Sequence, residues 1–184
     1  MNTNKEIEYK ILLDEKTFTH ILNTYPDHSS YTQINYYLTS KQLQEKKYAL
    51  RIREKEGHYE LTLKIPQGFA KMEYNLDITE DIAKEILAGH MPKNDITDVL
   101  EEHHMDCSLI IHNASLKTIR HDIHLDYGVL SLDENFYNNH HDYELEFELT
   151  DEQGHQQFKQ LKEQFHLDYT KNAPSKLKRV LATM

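Results

Sequence analysis

The feature that most constrains this chain is a period-two alternation of charged and apolar side chains, repeated in several separate stretches. It is most regular from Asp142 to Leu149, where Asp142, Glu144, Glu146 and Glu148 alternate with Tyr143, Leu145, Phe147 and Leu149. Successive side chains of a strand point to opposite faces, so this stretch reads as a strand with one ionic and one apolar face. Lys5 to Leu13 repeats the pattern, with Glu6, Glu8 and Lys10 against Ile7, Tyr9 and Ile11. Tyr48 to Lys55 sets Arg51 and Arg53 against Leu50 and Ile52, and Tyr59 to Ile65 sets Thr62 and Lys64 against Leu61 and Leu63. Lys71 to Ile78 puts Lys71, Glu73, Asn75 and Asp77 on one side, and Leu116 to Tyr127 aligns Arg120, Asp122, His124 and Asp126. Further strands are read at Tyr31 to Thr39, Cys107 to His112 and Val129 to Asn135, the last with Ser131 and Asp133 aligned.

Glu56-Gly57-His58 and Gly128 mark tight turns, which favours antiparallel neighbours. Capping residues and apolar spacing predict helices at Glu15 to Asn23 after Asp14, Glu80 to Ala88 after Thr79, about Ile96 to His104, and Glu152 to Phe165. The basic segment Ser175 to Leu181 reads as one short terminal helix, and Ser40 to Lys47 as a connection. The order is mostly strands, with helices at the start, middle and end. A long antiparallel sheet loses its exposed edges most completely by closing into a barrel.

Every apolar face must be buried somewhere. If the ionic faces look outward, the apolar ones fill a barrel or sandwich core. If they look inward, the amphipathic helices must cover the outside. Periodicity is compatible with both, and any single row, taken alone, is most simply a solvated strand face. Clustered carboxylates need cations between them, and clustered guanidiniums need anions. An inward arrangement of both suits a hard divalent ion such as Mg²⁺ or Mn²⁺ on the carboxylates and phosphate oxygens on Arg and Lys. No Gly-rich phosphate loop of the P-loop or dinucleotide-binding kind is present.

Composition narrows the classes. The 184 residues suffice for one domain spanning 1–184 with a substantial core. A net charge of −10 is wrong for a nucleic-acid binder, whose affinity comes from Lys and Arg. No apolar run is long enough for a membrane span, and a lone Cys107 fits a reducing compartment, so a cytoplasmic protein is expected. Cys107 is read as core packing. The 13 histidines include the pairs His103-His104 and His140-His141, but no Cys pair accompanies them and a zinc site is disfavoured.

Taken in order, these segments resemble the CYTH, or triphosphate tunnel metalloenzyme, superfamily. Glu6-Ile7-Glu8-Tyr9-Lys10 is similar to its N-terminal Glu-x-Glu-x-Lys signature, Arg51-Ile52-Arg53 to its Arg-x-Arg strand, and Glu144-Leu145-Glu146 to its late Glu-x-Glu strand. Thr62-Leu63-Lys64, Glu73, Arg120, Asp133 and Ser175-Lys176 fall at the remaining expected places. The resemblance implies an α+β fold: an eight-stranded antiparallel β-barrel forming a tunnel, with helices packed outside. It implies that Lys10, Arg51, Arg53, Lys64, Arg120 and Lys176 grip a triphosphate. It implies that Glu6, Glu8, Asp133, Glu144 and Glu146 hold Mg²⁺ or Mn²⁺, with Glu73 in support and Glu148 at the tunnel mouth.

The reaction expected is metal-dependent hydrolysis of a small-molecule triphosphate, inorganic or organic (thiamine triphosphate or a nucleotide), releasing orthophosphate. Glu6, Glu146 and Lys10 are the candidate catalytic residues, Lys10 as a general base if neighbouring cations depress its pKa. The alternatives are a class IV type adenylyl cyclase, making cyclic AMP and pyrophosphate from ATP, and a non-catalytic polyphosphate-binding module. A compact monomer or homodimer is expected from the same resemblance.

Overall fold

The computed structural model describes residues 1–184 and contains one antiparallel sheet of nine strands with six helices. The strands are β1 (Asn2–Glu6), β2 (Glu8–Leu13), β3 (Ser29–Thr39), β4 (Ala49–Lys55), β5 (His58–Gln67), β6 (Ala70–Ile78), β7 (Ile111–Leu125), β8 (Gly128–Tyr137) and β9 (His140–Leu149). The helices are α1 (Glu15–Thr24), α2 (Lys41–Lys46), α3 (Glu80–Leu87), α4 (Asp95–Glu102), α5 (Gly154–Phe165) and α6 (Lys176–Ala182).

Spatial order in the sheet is β1-β6-β5-β4-β3-β7-β8-β9-β2. Its two edges are successive pieces of the same N-terminal stretch, separated only by Ile7. One expected strand has therefore become two, because β1 pairs with β6 while β2 pairs with β9, and Ile7 gives its carbonyl to Leu149 N–H at 2.9 Å. The chain itself thus joins the two edges, and the sheet curls back on itself. Lys71 on β6 reaches Glu8 on β2 at 2.7 Å, which confirms that the ends of the sheet meet.

The hydrophobic cores lie outside this curl. Leu50, Ile52, Leu61 and Leu63 are fully buried on the outer face of β4 and β5, under α2, α3 and α4. Ile11, Leu130, Leu132, Leu145 and Phe147 form the second outer core with α1 and α5, through Phe18, Ile21, Phe158 and Leu161. Burying a side chain of this size contributes about 1.5–3 kcal/mol. A smaller cluster sits on the inward side, where Val180 of α6 packs on Tyr37, Ala114 and Leu116 and closes off part of the lumen. The amphipathic helices thus release the strands to turn their ionic faces inward.

Local chemistry sets the boundaries. Asp14, Ser40, Thr79 and Ser175 cap their helices by accepting the N–H three residues on, and Asn94 forms a reciprocal capping box with Thr97. The Ser40 cap turns the expected connection into helix α2, which ends at Lys47 in the left-handed region. Glu56-Gly57 and Asn138-Asn139 both take positive φ, the geometry of two-residue hairpins. The strand expected from Cys107 to His112 begins only at Ile111, because the Asp106 carboxylate captures Ser108 N–H and hydroxyl at 2.9 and 2.6 Å and winds Cys107–Leu109 into a 3₁₀ turn. Cys107 is therefore half-buried against an outer core rather than on a strand.

Candidate functional site

The inner face encloses a cavity of about 210 Å³ lined almost wholly by polar and charged groups. Glu6, Glu8, Lys10, Arg51, Arg53, Lys64, Glu73, Arg120, Glu146 and Lys176 all border it. Asp133 and Glu144 lie just behind, fully buried. The twelve residues singled out from sequence therefore converge on one lumen, although they come from eight strands and one helix. Glu148 also borders the cavity, at its more open side.

Most of these charges are paired. Lys64 Nζ lies 2.7 and 2.8 Å from the two Glu6 oxygens and 3.0 Å from Glu73. Arg120 forks onto Asp133 with two bonds of 2.7 Å and reaches Glu146 at 2.5 Å. Lys10 stands between Glu8 and Glu146 at 3.4 and 3.3 Å. Burial by itself would raise the Glu8 carboxyl, but Lys10, Lys71 and Lys64 override it and hold it down at about 2. Burial likewise presses on the Lys10 ammonium, yet Glu8, Glu146 and Glu144 push its pKa well above the ordinary lysine value. Lys10 is thus surrounded by carboxylates, not cations, and it stays protonated. The general-base role envisaged from sequence does not suit it in this state, whereas a role as a fixed positive charge does.

Asp133, Glu144 and Glu146 bring their oxygens within 4.8 Å of one another. The Lys176 ammonium sits among them, 2.7 Å from Asp133 and 2.6 Å from Glu146, and also bonded to Glu144. Arg179, one turn further along α6, holds Glu144 at 2.6 Å and Asp142 at 3.0 Å. Burial is the dominant influence on Glu144 and takes its pKa to about 7 despite the opposing charges of Lys176 and Lys10. A donor set of carboxylate oxygens that already gathers one cation is of the kind that fits a hard divalent metal ion. Glu6 and Glu8, the other two carboxylates expected to hold metal, are not part of this trio: Glu6 is held by Lys64, and Glu8 by Lys71 and by Lys10, which links it to Glu146.

Arg51 and Arg53 are the exceptions to the pairing. No carboxylate lies within ion-pair distance of either, and Arg51 Nε is buried without any partner. The one polar contact of Arg53 is Nε–H donating to Asn35 Oδ1 at 3.2 Å. Burial, with Arg51 and Arg120 close by, presses the Arg53 pKa down to about 10, so it remains charged at neutral pH. Two guanidiniums without direct ion pairs, on adjacent inward positions of β4, give this wall of the cavity a positive character that suits an anion.

Sequence reasoning passed over Lys71, Arg179, Gln33 and Asn172. Lys71 shares the inward row of Glu73, so the alternation already marked it. Arg179 follows Lys176 by three residues, the spacing that puts two side chains on one helix face. Gln33 and Asn172 carry no charge, and only their surroundings reveal them.

An antiparallel tunnel with its apolar cores outside and its charged side chains inside defines the structural class. The CYTH domain family matches residues 4–181, and this chain belongs to that family. It is 34% identical over 164 residues, 89% of this chain and 80% of the relative, to YjbK of Bacillus subtilis strain 168, by name a candidate triphosphatase. The crystal structure of a protein from Bacillus halodurans described as a candidate adenylate cyclase superposes with a TM-score of 0.90 at 31% identity, covering 97% of this chain and 98% of that one. HpAC1 from Hippeastrum, reported to have a dominant triphosphatase activity, shares the fold with a TM-score of 0.78 at 20% identity, over 97% of this chain and 95% of its own. No helix of this chain is long and apolar enough to cross a membrane.

Proposed function

We propose that this protein hydrolyses a small-molecule triphosphate, with a divalent ion, and releases orthophosphate. The observation that carries the reading is the couple Arg51 and Arg53, half-buried in the cavity wall without ion-pair partners, while most of the other charges there are paired. Such a couple needs a polyanion, and a chain of phosphates offers the acceptor oxygens that forked guanidiniums match. The candidate triphosphatase YjbK, 34% identical over most of both chains, supports the same reading.

In this reading Arg51 and Arg53 bind and orient the phosphate chain, and the charged Lys10 stabilises negative charge building on the phosphoryl oxygens. Arg120 fixes Asp133 and Glu146 in one arrangement. Asp133, Glu144 and Glu146 are the residues that would hold Mg²⁺ or Mn²⁺, with Glu6 and Glu8 as the remaining carboxylate donors. When bound, such an ion would supply charge neutralisation on phosphate oxygens and activation of water. Lys64, Lys71 and Lys176 keep the carboxylates compensated in its place.

The test is orthophosphate release from tripolyphosphate, ATP and thiamine triphosphate with Mg²⁺ or Mn²⁺, alongside a cyclic AMP assay, on wild type and on Glu6→Ala, Glu146→Ala and Arg53→Ala. Release by wild type and loss of at least two decades of rate in the variants is expected. Wild-type turnover in all three variants would overturn the site. Cyclic AMP from ATP without orthophosphate would replace hydrolase by cyclase, the activity named for the Bacillus halodurans relative. Tight binding without turnover would leave a binding module.

A further inference from the structure

The inward face of β3 carries Tyr31, Gln33, Asn35 and Tyr37, in the wall between β4 and β7. Arg53 lies opposite Asn35 on one side and Arg120 opposite Tyr31 on the other. Gln33, between Tyr31 and Asn35 in this row, is therefore diagonal to both guanidiniums, within reach of long side chains. It is 2% exposed, borders the cavity, and its amide nitrogen has no hydrogen-bond partner. Asn35 beside it is in a related state. Arg53 Nε can only donate, so its bond to Asn35 Oδ1 fixes that amide's orientation and leaves Nδ2 unpartnered.

These two amides stand out against their neighbours. Thr62 bonds Asn75 at 2.9 Å, Thr118 bonds Asn135 at 2.8 Å, and Asn135 in turn bonds Asp142 at 2.9 Å. The neutral polar groups of the lumen are thus satisfied elsewhere and left open here. A buried amide N–H without an acceptor costs about 1–3 kcal/mol, so the unpartnered amide of Gln33, which borders the cavity where Asn35 does not, marks a place shaped for an acceptor that arrives through the lumen. The acceptor must tolerate two flanking guanidiniums, which selects an anion. A neutral donor there adds a hydrogen bond without adding a further cation to those of Arg51, Arg53 and Arg120, whose mutual repulsion a lysine would increase.

We infer that Gln33 is a further substrate-binding residue, whose side-chain amide donates to a phosphate oxygen held between Arg53 and Arg120. The inference rests on the triphosphate reading of the cavity and extends it from the charged motif to a neutral residue of β3. Half a turn about the last side-chain bond exchanges the amide oxygen and nitrogen, so Gln33 presents its donor to the lumen without backbone movement.

The probe is tripolyphosphate in metal-free buffer, titrated calorimetrically into wild type, Gln33→Met, Gln33→Glu and Arg53→Ala, with a thermal melt of each protein alone. Gln33→Met keeps the length of the side chain and removes the amide. It should weaken binding roughly tenfold to a hundredfold, the loss expected for a hydrogen bond to a charged group. Its anion-free melting temperature should equal or exceed that of wild type, because no bond is lost in the empty protein. Gln33→Glu should weaken binding further, since its carboxylate competes for the same guanidiniums. Wild-type affinity in Gln33→Met, while Arg53→Ala loses binding, would sink the role of Gln33 alone. A lower anion-free melting temperature for Gln33→Met would show a structural glutamine and also overturn it. No binding by wild type would remove the triphosphate reading and this inference together.

Discussion

The side chain of Asn172 holds the backbone of Lys10: its Oδ1 accepts the Lys10 N–H at 2.8 Å, across 162 residues of sequence. The same amide donates through Nδ2 to Glu8 C=O at 3.0 Å, and Lys10 C=O accepts Ala173 N–H at 3.1 Å. Strand β2 is bonded to β9 on one edge only, so the segment before α6 completes its other edge. The tether that sets Glu8 and Lys10 in the lumen is thus continuous with the helix that delivers Lys176 and Arg179. Asn172→Ala leaves two main-chain groups of β2 without protein partners. It should destabilise the fold by about 1–3 kcal/mol in a denaturant titration and lower kcat more than Asn172→Asp, which retains one acceptor. Equal stability of Asn172→Ala and wild type would refute the tether.

Arg53 costs the empty protein stability, because its half-buried charge has no carboxylate within ion-pair distance. Arg53→Met should therefore raise the melting temperature of the anion-free protein by a few degrees and abolish the further rise that tripolyphosphate gives wild type. A lower melting temperature for the variant would show that a partner of Arg53 had been missed.

Lys176 does the opposite. Its ammonium compensates Asp133, Glu144 and Glu146 at once, and burial does not prevent those carboxylates from raising its pKa above the ordinary lysine value. Lys176→Met leaves three buried carboxylates short of a cation and should destabilise by about 3–5 kcal/mol at neutral pH. Added Mn²⁺ should restore more stability to this variant than it gives wild type. If Mn²⁺ stabilises neither protein, the carboxylate trio is not a metal site.

Glu148 supplies a pH test. Partial removal from water, reinforced by Glu6, Glu73 and Glu8, raises its pKa from 4.5 to about 7 in the fold. The native state therefore binds more protons than the unfolded chain between these values, so this group's contribution to stability falls as pH rises from 4.5 to about 7 and is level above. Glu148→Gln removes that loss. The melting-temperature difference between Glu148→Gln and wild type should grow across this window and then stay constant. A difference independent of pH would contradict the clustering of carboxylates at the mouth.

Much of the architecture was legible because it is local. Alternation places Glu144, Glu146 and Glu148 on one face of β9 and Leu145 and Phe147 on the other, whatever the rest of the chain does. Capping side chains such as Asp14 and Thr79 mark helix starts within three residues of themselves. The misreadings have the same local origin in reverse. Ser40 and Asp106 capture nearby N–H groups and wind short helical turns where composition suggested a connection and a strand, and the break at Ile7 arises only because β1 and β2 have different partners.

By itself, then, the sequence determined the strands, their two kinds of face and, through its motif order, the set of residues around the site. Only the tertiary structure decided that the ionic faces look inward, because a period of two is symmetric and the outer cores under α1 to α5 break the tie. Only it showed Lys10 embedded among carboxylates, Lys176 seated in the trio, and Arg51, Arg53 and the Gln33 amide left open. A side chain's partner across a closed sheet is set by register and curvature, and these couple residues separated by more than a hundred positions that no local pattern links.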